Sequence, residues 1–473
     1  MQSPEESQPL DAELPYGATA TRGPLIVTVL GALLGSVFAA VSTSDFMQHL
    51  DRQVHAIHCS FIPGAGKELG ESGCKAVMMS PYSSFFRESF WGGVPVSLWA
   101  LATFAFLVYR AGLLLWRGKP SRAETTLLLA ATALPVLMSL IYGYLSVAKV
   151  GETCKVCVGI YLSSALVFVG ALLTHLKNPA APDHQPVQGR FALWFFEGVG
   201  FVAVLSATYL FFTPAPDKKT SLTGCGSLVS GDDPNGVMIP LPSGEGEAAI
   251  EVLDPLCPAC KAFDERLGAS ALRKRLDLKA VLFPLDPACN WMVTEALHPG
   301  ACAVSEAMLC AGGVGGGPKD EKAAQDVLKW AFKNQDKLRE LAAKDEGALR
   351  TKIETTFPKV KGCLGGTLVK SKLTKSLRWA VANAIPVLTP QLFVGNSRMC
   401  DEDSDLGLEF TLSRMLSKQG KTARAQLKPP PRPVVVAPVP APKPVAPRPA
   451  AADPGDPPAQ PEPEATPEPE TAP

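Results

Sequence analysis

Five long apolar stretches constrain this chain more than anything else in it: Pro24 to Thr43, Val94 to Trp116 with Arg110 inside, Thr125 to Ala148, Val158 to Thr174, and Phe191 to Thr213. Each approaches the roughly 20 residues that a helix needs to cross a bilayer. A water-soluble chain would have to bury five such helices with almost no polar face on any of them. The first stretch is too long for a signal peptide. Although small residues Ala39 and Ala40 lie near its end, its leader carries Glu5, Glu6, Asp11 and Glu13 instead of a basic segment, so an uncleaved anchor is expected.

Basic residues set the orientation. Arg110, Arg117, Lys119 and Arg122 crowd one end of the second and third stretches, and Lys177 and Arg190 lie between the fourth and fifth. Cytoplasmic loops collect such charges, which makes residues 1–23 a cytoplasmic segment. The loop from Ser44 to Gly93, the Lys149 to Cys157 turn and everything after the fifth helix then lie on the opposite side, where stable disulfides form. With 45 basic and 45 acidic residues, the balanced charge gives no reason to expect a nucleic-acid partner. Twelve cysteines against six histidines, with no histidine cluster beside them, favour disulfide chemistry over zinc, and no metal site is assigned.

On that side lie Cys59, Cys74, Cys154 and Cys157. The last two form a C-x-x-C at the mouth of the fourth helix, where two thiols one turn apart can close a disulfide and exchange electrons with a molecule dissolved in lipid. A second pair follows the buried-strand run Ala248 to Leu253, in Asp254-Pro255-Leu256-Cys257-Pro258-Ala259-Cys260, and leads into a helical period through Leu267 and Leu272. A helix N-terminus favours a thiolate, which makes Cys257 the attacking thiol and Cys260 the resolving one. Further on, the pattern predicts a strand over Leu278 to Leu285, mostly helix from His298 to Trp379 with a glycine-rich break at Gly312 to Gly317, a strand at Gln391 to Val394, and a closing helix over Leu406 to Leu416.

Two resemblances follow from these residues. Cys74 with the small and serine-bearing segment after it, the run Gly93-Val94-Pro95-Val96-Ser97 leading into the second helix, and Cys154-Lys155-Val156-Cys157 opening the fourth together resemble the vitamin K epoxide reductase family over roughly residues 24–176. Cys59 and Cys74 stand further apart than that family usually places its loop cysteines, which leaves the shape around Cys59 open. The strand, C-x-x-C helix and proline-led strand resemble the thioredoxin-like, Dsb-type disulfide oxidoreductases over residues 245–420, with a helical insertion. Pro390 resembles their cis-proline better than Pro386 does, and Thr389 becomes the neighbour whose backbone pairs with a substrate chain.

The membrane resemblance implies that Cys74 exchanges with Cys154, that Cys157 faces a quinone (menaquinone or ubiquinone), and that Cys59 meets the appended domain. Ser80, Phe85 and Phe86 are the candidates for contacting the quinone. Phe85, Phe86, Phe90 and Trp91 can form a lid over a pocket in the bundle or simply anchor the interface. Glu197 is an intramembrane carboxylate near the cytoplasmic end of the fifth helix, where snorkelling to water is expected. Of the remaining six cysteines, Cys289 with Cys302 and Cys310 with Cys363 are the pairs that would brace the inserted helices, leaving Cys225 and Cys400.

The expected architecture is multidomain: an α-helical membrane bundle with a four-helix core over 24–176, a loop and fifth linking helix over 177–213, a linker over 214–244, an α/β thioredoxin-like domain over 245–420, and a disordered Pro/Ala-rich tail over 428–473. The expected protein is an enzyme of the bacterial cytoplasmic (inner) membrane that makes disulfides in reduced secreted or periplasmic proteins and delivers the electrons to quinone. Its rivals are a reductase running electrons outward, which would need cysteines within or behind the helices, and a membrane-tethered metal chaperone using the C-x-x-C pairs as soft sites. Quinone epoxide reduction as the physiological reaction would leave the fused thiol-exchange domain without a purpose.

Overall fold

The computed structural model describes residues 16–427 except 52, 54, 69–71, 119, 179–186, 214–224 and 315–319. The tail and most of the N-terminal segment lie outside the described residues, as do part of the expected linker and part of the glycine-rich break. Residues 1–425 form one unit and 426–473 a second.

The membrane half is built from helices α1 (Tyr16–Gln48), α3 (Val96–Arg117), α4 (Arg122–Leu145), α5 (Lys155–Lys177) and α6 (Val187–Phe212), with the short α2 (Gly73–Met79) outside the bundle. Among the described residues, five helices are long and apolar enough to cross a membrane. Glycines let α1 approach its neighbours closely. A Cβ at Gly35 would lie 2.6 Å from the Phe104 ring of α3, and one at Gly159 of α5 would lie 2.6 Å from Phe38. Where lipid gives no hydrophobic drive, small residues that bring helices into contact are what hold a bundle together. Leu25, Ala32, Ala39, Phe104, Leu107, Leu128, Val167 and Ala171 fill the resulting core.

Helix α6 joins this core through Trp194, while Phe195, Phe196, Phe211 and Phe212 on it are exposed. Glu197 departs from the expected snorkelling. Its carboxylate pairs with the guanidinium of Arg110 on α3, and that guanidinium also sits 4.5 Å over the Trp194 ring. A buried cation was available one helix away, so the carboxylate finds charge inside the bundle without reaching for water.

The described residues between 49 and 95 cap one end of the bundle. A short hairpin pairs β1 (Ile57–His58) with β2 (Lys67–Glu68), and a second ladder pairs β3 (Ser84–Phe85) with β4 (Val94–Pro95). Trp91 Nε1 donates to the Leu50 carbonyl at 2.9 Å, pinning the cap to the end of α1. Gly73 packs against the Thr153 carbonyl, where any Cβ would collide, so the cap and the turn before α5 are forced together.

The second half is a five-stranded sheet in the order β5 (Ile239–Pro240), β7 (Leu276–Leu282), β6 (Glu247–Leu253), β8 (Gln391–Val394), β9 (Ser397–Arg398). The β6–β7 pair is parallel and the others antiparallel. The crossover from β6 to β7 is α7 (Pro258–Ala269), which carries the cysteine pair. Strand β7 starts and ends earlier than the sequence pattern indicated, because its ladder with β6 begins at Glu247 opposite Leu276. The expected helical region resolves into α8 (Ala301–Ala311), α9 (Glu321–Lys344), α10 (Glu346–Thr356) and α11 (Thr367–Ala382). The closing helix α12 (Leu408–Leu427) follows a 3-10 turn at Asp401–Asp403 and begins later than expected. Cys289–Cys302 and Cys310–Cys363 are disulfides, the two pairs chosen from the sequence, and Cys225–Cys400 ties the start of this half to the residues after β9.

Candidate active sites

The first site lies where the cap meets the bundle. Cys59 and Cys74 form a disulfide with both residues buried, and Cys154 and Cys157 are free thiols. Cys154 caps α5: its sulfur accepts the Cys157 backbone N–H at 3.2 Å. That position favours a thiolate, and the hydrogen bond from the Cys157 side chain pulls the Cys154 thiol below its usual range despite burial.

Cys74, Cys154 and Cys157 open together onto a cavity of about 380 Å³ reaching into the bundle. Its walls are largely apolar, with Phe46, Phe85, Trp99, Leu134 and Met138 among them. Phe85 stacks on Trp99 with ring centroids 4.8 Å apart. Trp99 Nε1 is buried without a hydrogen-bond partner, an orphan donor on an apolar wall. A flat apolar molecule fits this lining, because its rings match the aromatic wall.

The second site is on the soluble sheet. Cys257 is the N-cap of α7 and Cys260 lies one turn in, with Pro258 at the first helical position. Cys257 Sγ lies 3.5 Å from the Thr389 carbonyl oxygen, and the Thr389–Pro390 peptide bond is cis. The Cys257 thiol is held down to about 6, first by the hydrogen bond from Cys260 and further by the positive charge of His298. Burial pushes the Cys260 thiol well above its usual range. One thiol is therefore poised to attack while its partner stays protonated.

Ser80 and Phe85 line the membrane cavity, whereas Phe86 does not: it is exposed, with its ring edge-on to Trp99 at 6.4 Å. Three features were missed by sequence reasoning. Glu251 of β6 is fully buried, burial raises its carboxyl to about 8, and its charge pushes the Cys260 thiol up further. A buried carboxyl protonated near neutral pH can give its proton to the released Cys260 thiolate and, once ionised, take it back when the pair is reoxidised. His298 Nδ1 lies 2.8 Å from Asp254 Oδ2; burial alone would lower the imidazole's pKa, but the carboxylate raises it. Trp99 is the third. A Glu in the middle of a strand pattern was the available signal for the first, and nothing local marked His298 or Trp99.

Residues 26–172 match the family described as Vitamin K epoxide reductase family. No curated protein matches the chain. Among solved structures, the chain is similar to the crystal structure of Wolbachia pipientis alpha-DsbA1, with 14% identity, 42% of this chain and 96% of that chain covered, and a TM-score of 0.30. The thioredoxin-like assignment rests on the sheet order, the position of the cysteine pair at the start of α7 and the cis Thr389–Pro390 bond. Fold and sites together define a membrane thiol–disulfide oxidoreductase. More particularly, residues 26–172 match the vitamin K epoxide reductase family and the sheet domain after them has a thioredoxin-like arrangement of its cysteine pair.

Proposed function

We propose that the protein makes disulfides in reduced secreted or periplasmic proteins and passes the electrons to a membrane quinone, from the bacterial cytoplasmic membrane with its thioredoxin-like domain outside. The observation that carries this reading is the opening of Cys74, Cys154 and Cys157 onto one apolar cavity within the bundle. Each thiol step is a thiolate attack through a mixed disulfide. A substrate thiolate attacks the oxidised Cys257–Cys260 bond and leaves with a disulfide, while Cys260 receives a proton that Glu251 can later remove. The reduced pair then reduces Cys59–Cys74, with Cys59 meeting the soluble domain. Cys74 in turn reduces the oxidised Cys154–Cys157 pair through Cys154.

A quinone in the cavity supplies the final acceptor of two electrons and two protons. Phe85 and Trp99 would hold its ring, and Ser80 lines the same wall. Fusion makes the first hand-over intramolecular, at an effective concentration of about millimolar. Domain limits of 24–176 for the membrane module and 245–420 for the soluble module are part of the same reading.

The test is turnover of a reduced peptide with quinone in purified protein. Cys154→Ala should abolish quinone reduction, whereas Cys59→Ala and Cys257→Ala should lose peptide-dependent turnover and keep turnover with a small dithiol. Full peptide turnover in Cys59→Ala would sink the proposed order. An outward-running reductase is disfavoured because all four membrane-half cysteines lie at the capped end of the bundle.

A further inference from the structure

Arg87 belongs to the cap over the cavity, yet it is bonded to the soluble half. Its side chain is 7% exposed. Nε donates to Ser84 Oγ at 2.8 Å, and Nη2 donates to the Ser80 carbonyl at 2.7 Å and to Ser83 Oγ at 3.1 Å. Nη1 reaches Glu409 Oε1, on α12 of the soluble half, at 3.3 Å. Ser80, Ser83 and Phe85 line the cavity. One guanidinium therefore ties a cavity wall to another domain.

The neighbours of Glu409 make the same connection. Phe410 meets the Trp91 ring edge-on at 5.8 Å, and Ser413 Oγ donates to the Glu88 carbonyl at 3.1 Å. Gly407 lies so close to the Trp91 ring that a Cβ there would overlap it. Leu406 is buried among Phe46, Leu50 and Tyr209 of the membrane half. On its other side this segment is held to α7, because Arg266 Nη1 donates to the Asp405 carbonyl at 2.6 Å. Cys257 stands at the opposite end of α7, about 13 Å along the helix at ~1.5 Å per residue, so the seam does not use the dithiol.

Charge decides what the pair does. Burial of Arg87 disfavours its cation, and Glu409 opposes that cost. Without the carboxylate, an uncompensated cation would be left at the 80–84 turn, and a buried charge without its partner turns toward water and takes its hydrogen-bonded neighbours with it. We propose that Glu409 is a positioning residue for the membrane cavity: docking of the soluble domain, through the Glu409–Arg87 pair, fixes the 80–85 turn as a cavity wall and so sets the affinity for the acceptor held there. This rests on the reading of the cavity as a quinone site. The soluble domain is thereby both an electron donor to the membrane half and part of its acceptor site.

The experiment uses the full chain in detergent, a small dithiol as donor and a short-chain ubiquinone as acceptor. Glu409→Gln and Gly407→Ala should each raise KM for quinone at least fivefold with kcat within twofold. In quinone-free protein, amide hydrogen exchange over residues 80–85 should quicken at least fivefold, while single-turnover oxidation of a reduced peptide by Cys257–Cys260 keeps its rate. Gly407→Ala alters no charge and opens the seam by displacing Trp91, so it carries the test if Glu409→Gln does not fold. Unchanged KM and exchange in either folded variant overturn the coupling and leave the quinone reading standing. A wild-type protein that turns over no quinone overturns the quinone reading, and this inference with it.

Discussion

The Cys157 backbone N–H points at the Cys154 sulfur from 3.2 Å, so the first turn of α5 caps itself with the thiol it activates. The same turn opens onto the cavity. Local helix geometry thus places the reactive sulfur at a cavity that Cys74 of the Cys59–Cys74 disulfide also lines. Because the Cys157 side chain is the largest influence lowering Cys154, Cys157→Ala should move the pH midpoint of Cys154 alkylation upward. A pH series with iodoacetamide, read by mass spectrometry, measures that shift.

Cys257 should alkylate with a midpoint near its depressed value of about 6. Cys260→Ala removes the principal cause and should return the midpoint toward the ordinary thiol value of ~8.5. His298→Gln should raise it by less, since the imidazolium acts by charge alone. An unmoved midpoint in Cys260→Ala would show that the helix N-terminus, not the partner thiol, sets the reactivity.

Glu251 should make stability depend on pH. Its folded value of about 8 lies above its ordinary value of 4.5, so the folded state holds a proton that the unfolded chain gives up. Its contribution is fully present below about 4.5 and is lost as pH rises through about 8. Glu251→Gln should therefore raise Tm at pH 8.5, by an amount equivalent to a few kcal/mol, and leave it nearly unchanged at pH 4. The same variant should slow reoxidation of the Cys257–Cys260 pair. Equal Tm shifts at both pH values would contradict the linkage.

Much of this was legible in the sequence because it is local. Apolar run length marks five helices, and a C-x-x-C after a strand pattern marks Cys257 and Cys260 at a helix start. The Cys289–Cys302 and Cys310–Cys363 bridges followed from which helices needed bracing. What escaped depends on contacts between distant segments. Glu251 reads as one polar residue in a strand until the sheet buries it beneath α7. Glu197 reads as a snorkelling carboxylate until α3 brings Arg110 to it, and no spacing rule joins Arg87 to Glu409.

The Arg110–Glu197 pair should behave as a partly buried ion pair, since its guanidinium is buried and its carboxylate is 27% exposed. Glu197→Gln leaves the guanidinium uncompensated between α3 and α6 and should destabilise the bundle by about 1 to 2 kcal/mol, whereas Arg110→Leu with Glu197→Leu should recover most of the loss. Thermal unfolding in detergent distinguishes the two. A double variant as unstable as the single one would assign the pair a packing role in place of an electrostatic one.

The most direct test of the relay counts electrons. Chemically reduced protein, with its structural disulfides intact, is mixed anaerobically with excess quinone and the quinone consumed is read by absorbance. Three redox pairs draining through Cys154–Cys157 predict about three quinones per chain in the wild type, about one in Cys59→Ala and none in Cys154→Ala. Quinone consumption that persists in Cys154→Ala, or a wild type that delivers only one equivalent, would contradict the account.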